Sequence, residues 1–252
     1  MRARDRRISS LAVGLAAMLA LGATQMAAAA APAPTAARPT SRVVATRRQL
    51  AGYLRNTTGP VSVHAAFRVP DVVCPPQDVI TATAPGVAIY TDDGMSSSVT
   101  VDLLCVRGTE ISRGDITYDG LETPLYRTIV PGDWISVTLS DRGGFARATI
   151  KDPAQHWSYF SKTSIHAATE VGIGSVGLLC AGDGCEPELQ FAPVKFRAAT
   201  IDAGTIADAA PSRIRAADGS TQAKAGARNP ADDGFTVTWV STCSPVDANG
   251  RC

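Results

Sequence analysis

The chain has 252 residues and a formal net charge of +1, with 24 Lys and Arg against 23 Asp and Glu. That balance gives no electrostatic case for nucleic acid or an anionic membrane surface as a partner. With 45% apolar residues, the chain is long enough for one sizeable core once its leading segment is set aside.

Arg2, Arg4, Arg6 and Arg7 form a basic opening, followed by the apolar run Leu11 to Leu21 and by Ala27 to Ala31. Charge, a short apolar core and small residues are the parts of a secretory signal peptide. The run falls short of the roughly 20 apolar residues that span a bilayer. Cleavage is expected among Ala28 to Ala30, which makes residues 1–30 the signal peptide. The Arg6-Arg7 pair also permits a twin-arginine route. No later stretch reaches transmembrane length, so the mature protein is expected to be secreted, extracellular and free of membrane contact. Residues 31–46, rich in Pro, Ala, Thr and Arg, read as a flexible leader. Arg47 to Leu54 is expected to give a helical turn and nothing more.

From there the pattern has period two. Val61, Val63, Ala65, Phe67 and Val69 alternate with Ser62, His64, Ala66 and Arg68. Val99, Val101 and Leu103 alternate with Thr100, Asp102 and Leu104, the last blurring the polar side. Ile135, Val137 and Leu139 alternate with Ser136 and Thr138, and Phe235, Val237 and Trp239 with Thr236 and Thr238. Such alternation puts one set of side chains on a core face and the other outward. Turn residues separate the runs at Pro75-Pro76, Asp93-Gly94, Pro131-Gly132, Gly143-Gly144, Asp183-Gly184, Asp218-Gly219 and Asp233-Gly234. Many short strands and almost no helical periodicity argue for an all-β antiparallel sandwich or barrel. Residues 47–243 form that single domain, with residues 244–252 as a tail.

All six cysteines follow the signal: Cys74, Cys105, Cys180, Cys185, Cys243 and Cys252. An even count in an exported chain reads as disulfides. Short intervening loops favour Cys180 with Cys185 and Cys243 with Cys252, which leaves Cys74 with Cys105. A metal site is the competing reading, but no Cys-x-x-Cys or paired-His spacing appears. No metal and no cofactor are expected.

Several segments, in order, resemble the glutamic endopeptidases, the eqolisins, and especially their bacterial secreted members. Ala51-Gly52-Tyr53 resembles the family's opening Trp-x-Gly-Tyr, and Phe67-Arg68-Val69-Pro70 its Trp-x-Val-Pro, with Cys74 following. Ile89 to Cys105, containing Ser96-Ser97-Ser98-Val99, resembles the stretch from a Trp-x-Gly-Ile strand to the next cysteine. Tyr118 to Pro124 keeps Glu122 and Pro124 of a Tyr-x-Trp-Tyr-Glu-x-x-Pro segment. Val130 to Asp133 matches a Pro-Gly-Asp turn, and Asp152 to Trp157 an Asp-x-Thr-x-x-Trp strand end. Ala168-Thr169-Glu170 resembles the Ser-Ala-Glu before Trp-Ile-x-Glu, while Leu189 to Ala198 and Phe235 to Trp239 resemble later strands. The likeness spans roughly residues 47 to 242. It implies a concanavalin-like β-sandwich of two packed antiparallel sheets with a concave face holding a cleft. It also supports pairing Cys74 with Cys105.

The resemblance implies a glutamate acting as general base on water and a glutamine amide donating to the oxyanion, sound chemistry for peptide hydrolysis. Glu170 falls at the glutamate position. Val101 falls at the glutamine position when the serine segment is the anchor, and valine has no donor. A one-residue slip brings Asp102 there, but successive strand residues face opposite sides, so this requires a bulge or a shifted register. Asp102 and Glu170 would then share a proton as a carboxylate pair. The family's cleft tryptophans are Leu50, Phe67, Gly86 or Val87, and Gly120 here, and Leu121 replaces its tyrosine. Such losses weaken the grip on substrate.

Glu122, Trp134 and Tyr53 are the remaining candidates for binding contacts. Glu122 is expected beside the Pro124 turn, and Trp134 as an exposed aromatic or an edge residue. His64, His156 and His166 are spaced for neither a metal nor a triad, and Gln155 and Gln190 supply amides elsewhere. Ser96 to Ser98 carries no nucleophile elbow. Three readings follow: a catalytically degenerate monomer binding extended peptide or polysaccharide in the concave face, an acid endopeptidase using Glu170, and a carbohydrate-binding module. The leader is either an inhibitory propeptide, as the resemblance implies, or a tether.

Overall fold

The structure is a computed structural model that describes residues 50–74, 81–92, 96–177, 180–181, 184–185, 190–215 and 220–240. The expected pair Cys243–Cys252 and the side chains of Cys180 and Cys185 lie outside the described residues, as do the signal and leader. The strands are β1 (Leu50–Asn56), β2 (Val61–Arg68), β3 (Thr81–Tyr90), β4 (Ser96–Val106), β5 (Thr109–Tyr118), β6 (Leu121–Leu125), β7 (Trp134–Asp141) and β8 (Phe145–Asp152). They continue as β9 (Trp157–Ser164), β10 (Glu170–Val176), β11 (Cys180–Ala181), β12 (Gly184–Cys185), β13 (Val194–Ile201), β14 (Ala210–Arg215), β15 (Thr221–Ala225) and β16 (Phe235–Trp239). Among the described residues there is no helix, and none therefore long and apolar enough to cross a membrane.

Fourteen strands form one curled antiparallel sheet in the order β6-β5-β4-β3-β10-β1-β14-β15-β16-β13-β2-β7-β8-β9, and β11 with β12 makes a separate ribbon. The curl brings β2, β7 and β8 against β10, β3, β4 and β5, so the halves pack as two layers. The changeover is at β14: Ala210 to Ser212 pair with β1, whereas Arg213 to Arg215 pair with β15.

Alternation decides what lies between the layers. Val61, Val63, Ala65 and Phe67 of β2 are buried, while the residues between them are half-buried or exposed. Opposite them stand Val87, Ile89, Val99, Val101, Leu103, Ile116 and Ile173, all without solvent exposure. A Cβ placed on Gly114, which pairs with Val101, would come within 3.2 Å of Ile150 Cδ1, so this face of β5 meets β8. Each fully buried aliphatic side chain contributes about 1.5–3 kcal/mol. One end of the core is aromatic, with Phe196 stacked on Phe235 at 4.8 Å and Tyr53 edge-on to Phe235 at 4.9 Å.

The expected Cys74–Cys105 disulfide is present and fastens the segment after β2 to β4. Closing a loop of 31 residues stabilises by about 3–4 kcal/mol in the chain-entropy account.

The expected helical turn at Arg47 to Leu54 is a strand over its described part. Leu50, Ala51, Gly52 and Tyr53 are all buried because β1 lies between β10 and β14 in mid-sheet. A short apolar run buried on both faces carries no period to distinguish strand from helix.

A row of glycines crosses the first layer: Gly52 on β1 pairs with Gly174 on β10, which pairs with Gly86 on β3. A Cβ on Gly86 would lie 2.2 Å from the Val99 carbonyl oxygen, and one on Gly174 would lie 2.2 Å from that of Ala51. Neighbouring backbones occupy the space a side chain needs, so only glycine fits along this line. Gly86→Ala and Gly174→Ala are each expected to cost at least about 2 kcal/mol in denaturant unfolding. Gly59→Ala, where the added carbon meets nothing within 4 Å, should stay within about 0.5 kcal/mol. Equal effects at the three positions would show that the row is not a packing constraint.

Candidate functional site

The outer face of the first layer, opposite the core, carries the polar residues. Directly paired residues share a face, so the register places them in rows across the strands. One row runs Asn56, Glu170, Tyr90, Ser96 across β1, β10, β3 and β4. A second runs Gly52, Gly174, Gly86, Thr100, Asp115 and ends at Pro124 on the edge strand β6. Asp102, opposite Arg113, lies one step beyond the second row.

Asp102, Arg113, Asp115 and Glu122 form one cluster. The Arg113 Nε and Nη2 atoms donate to Asp102 Oδ2 at 3.2 and 3.1 Å, and Thr100 Oγ1 donates to Asp102 Oδ1 at 3.0 Å. Thr117 Oγ1 donates to Asp115 Oδ1 at 2.9 Å. Asp115 Oδ2 is buried with no hydrogen-bond partner among the described residues. Glu122 is 62% exposed and stands 3.9 Å from the same guanidinium.

Three carboxylates thus face one cation. Burial and then the Asp115 charge push Asp102 up to about 6, against the Thr100 and Arg113 interactions that lower it. Burial, with Glu122 adding, also raises Asp115. Burial works to lower the Arg113 value, but Asp102, Asp115 and Glu122 outweigh it and raise it. A carboxyl near pH 6 exchanges its proton in a mildly acidic medium, which suits acid–base work or a proton-linked contact.

Each residue singled out from the sequence has a definite place. Val101 is fully buried in the interlayer core, where it cannot face a ligand on the outer face. Asp102 faces outward in a regular ladder, with no bulge and no shifted register, which corrects the requirement inferred from the valine alignment. Glu170 is buried as the first residue of β10. It shares the outer face with Asp102, but its row meets β4 at Ser96, six positions before Asp102. At about 3.3 Å per residue that is roughly 20 Å along the strands, so Asp102 and Glu170 do not share a proton.

Tyr53, a candidate binding contact, is buried in the core, and its hydroxyl donates to the Gly226 carbonyl at 2.8 Å. Phe67 and Leu50, at two of the family's cleft-tryptophan positions, are fully buried. Trp134 is half-buried under the Arg197 guanidinium at 3.6 Å. The exposed large rings are Tyr126 at 83%, Phe145 and Phe160. His64 hydrogen-bonds Thr138, and His166 pairs with Asp119. Sequence reasoning missed Arg113, Asp115 and Asn56. Arg113-x-Asp115 mirrors Thr100-x-Asp102 at the same-face spacing of a strand, but only the β4–β5 pairing shows that the two meet.

In the unfolded chain Asp102 returns to its ordinary value of 3.8. Below that pH both states hold the proton and the group's contribution to stability is complete; it is lost as pH rises through about 6. Between pH 4 and pH 7 the protein should therefore lose about 2 kcal/mol more stability than Asp102→Asn in urea unfolding. Parallel pH profiles for the two proteins would rule out the raised carboxyl.

No family model and no curated protein matches the chain. Solved structures do resemble it. Scytalido-glutamic peptidase with a transition-state-analogue inhibitor aligns with a TM-score of 0.61 at 15% identity, over 77% of this chain and 99% of that one. SCP-B, a member of the eqolisin family in complex with the tripeptide Ala-Ile-His, gives 0.60 at 16% identity over the same shares. Aspergilloglutamic peptidase from Aspergillus niger gives 0.52 at 22% identity, over 64% of this chain and 99% of that one. At such identities the likeness is one of fold: this chain is similar to the glutamic peptidases in the β-sandwich on which they are built.

Proposed function

We propose that the chain is an exported protein that uses a glutamic-peptidase scaffold to hold extended polypeptide on its outer face without hydrolysing it. The observation that carries this reading is the separation along the ladder. A general base and an oxyanion donor each need to lie about 3 Å from one water or carbonyl. The glutamate candidate, Glu170, is roughly 20 Å along the strands from the Asp102 cluster, and Val101 is inside the core. The second row between them offers Gly52, Gly174 and Gly86, a lane with no side chain to act as acid or base. Asp115 Oδ2 at the end of that lane is a buried acceptor left for a ligand N–H. SCP-B in its tripeptide complex supports peptide as the ligand class for this scaffold.

One observation favours a second reading, an acid endopeptidase. Asn56 pairs directly with Glu170, which sets an amide beside the glutamate on the same face. That is the pairing of groups the glutamic mechanism calls for, although the amide is one methylene shorter.

Digestion of an unfolded protein from about pH 2 to pH 7, beside measured binding of a labelled unstructured peptide, separates the two. The binding reading expects no cleavage from folded, disulfide-intact protein, and peptide affinity lowered about tenfold in Asp115→Asn. Acid cleavage that disappears in Glu170→Gln and drops in Asn56→Ala would replace it with the peptidase.

A further inference from the structure

The outer face of the second layer is basic, opposite in sign to the acidic Asp102 cluster of the first. Its outward positions on β13, β2, β7, β8 and β9 include Lys195, Arg197, Arg68, Lys151, Arg147 and Lys162, all exposed. No outward position of these five strands is acidic. Asp141 and Asp152, the acidic residues within them, are buried, and Asp141 accepts the Gly144 and Ala168 N–H groups while Asp152 accepts those of Ala154 and Gln155. Among the described residues none of the six cations forms an ion pair.

Their placement costs the free protein energy. Arg147 on β8 stands directly opposite Lys162 on β9, a like-charge pair that destabilises a sheet. Arg68 lies directly opposite Trp134 in the ladder and donates to the Gly132 carbonyl, while Arg197 covers the indole. In one row across β13, β2, β7 and β8, Ala66 and Ser136 separate Arg197 from Lys151. A whole-chain charge of +1 conceals this face, because the acidic Asp102 cluster lies on the other layer.

We propose that this face binds an acidic polysaccharide, one whose repeating carboxylates or sulfates bridge the cations. Charge complementarity supplies the attraction, and hydroxyls at Ser136, Thr138, Thr149 and Ser158 lie between the charges to meet sugar hydroxyls. Nucleic acid fits less well. The strands form a sheet face with no element that projects into a duplex groove, and single strands need stacking rings. Trp134 is already covered, which leaves Phe145 and Phe160 as the exposed rings of this face among the described residues. This surface is independent of the peptide face, and its test does not depend on that reading.

The test measures affinity of the secreted chain for dextran sulfate and polygalacturonate, with neutral dextran and duplex DNA alongside. Both acidic polymers should bind, neutral dextran should not, and affinity should fall about tenfold or more between about 0.05 and 0.5 M salt. Lys151→Glu should weaken binding at least about fivefold, and Arg127→Glu, the same charge change beside the first layer, less than about twofold. Lys195→Glu is the substitute if Lys151→Glu does not fold. Equal losses from Lys151→Glu and Arg127→Glu, or no binding to either acidic polymer, would overturn the proposal. Tighter binding to duplex DNA than to dextran sulfate would replace the polysaccharide with nucleic acid.

Discussion

The ladder that holds β4 between β3 and β5 sets everything on the first layer's outer face. Regular antiparallel pairing, eight pairs with β3 and nine with β5, fixes which side each β4 residue takes, and the buried valines fix which side is inside. Val99, Val101 and Leu103 are locked into the core by the transfer energy of their side chains. Thr100 and Asp102 are therefore outward whatever chemistry they carry. A one-residue slip would bury a carboxylate among aliphatics and expose three apolar side chains, so no competing register is close in energy.

That constraint explains how a buried acidic residue persists. Asp102 is only 3% exposed, and an isolated buried carboxylate would be very costly. Arg113 comes from the directly opposite position of β5, so the partner is provided by the same ladder that forces Asp102 outward. Two guanidinium N–H groups on Oδ2 and the Thr100 hydroxyl on Oδ1 give the carboxylate three donors. Asp115 and Glu122 then overload the single cation, and the burial already present turns that excess into a raised proton affinity. Such an arrangement is expensive as plain architecture, since replacing a buried ion pair by apolar residues is often neutral or stabilising. Retaining it makes physical sense where a proton or a ligand completes the set.

The sequence reading succeeded where local pattern determines structure. The alternation from Val61 to Arg68 became β2, and Ile135, Val137 and Leu139 became the core side of β7. The Pro131-Gly132-Asp133 turn is real, with Gly132 at φ +95 and its N–H donated to Val69. Gly143 and Gly144 both take positive φ between β7 and β8. The site was harder because its parts meet only through long-range pairing. An alignment anchored on three serines cannot fix parity, and parity is all that separates Val101 from Asp102. The burial of Tyr53 was hidden for a similar reason. A tyrosine in a mid-sheet strand is buried on either face, and its hydroxyl finds a backbone carbonyl far away in sequence.

Charge shows the same limit at larger scale. Near-equal numbers of acidic and basic residues were read as electrostatic neutrality toward polyanions, which holds only if the signs are mixed in space. The fold unmixes them, because β4 and β5 supply the acids of one face while β8, β9, β2 and β13 supply the bases of the other. A core two side chains thick lies between the two faces and keeps them from neutralising each other. At physiological salt the screening length in the solvent is about 8 Å, so over either face the nearby charges dominate those reached around the molecule. Each face therefore presents its own potential to solvent, and a partner approaching either one meets a field that the net charge of the chain does not describe.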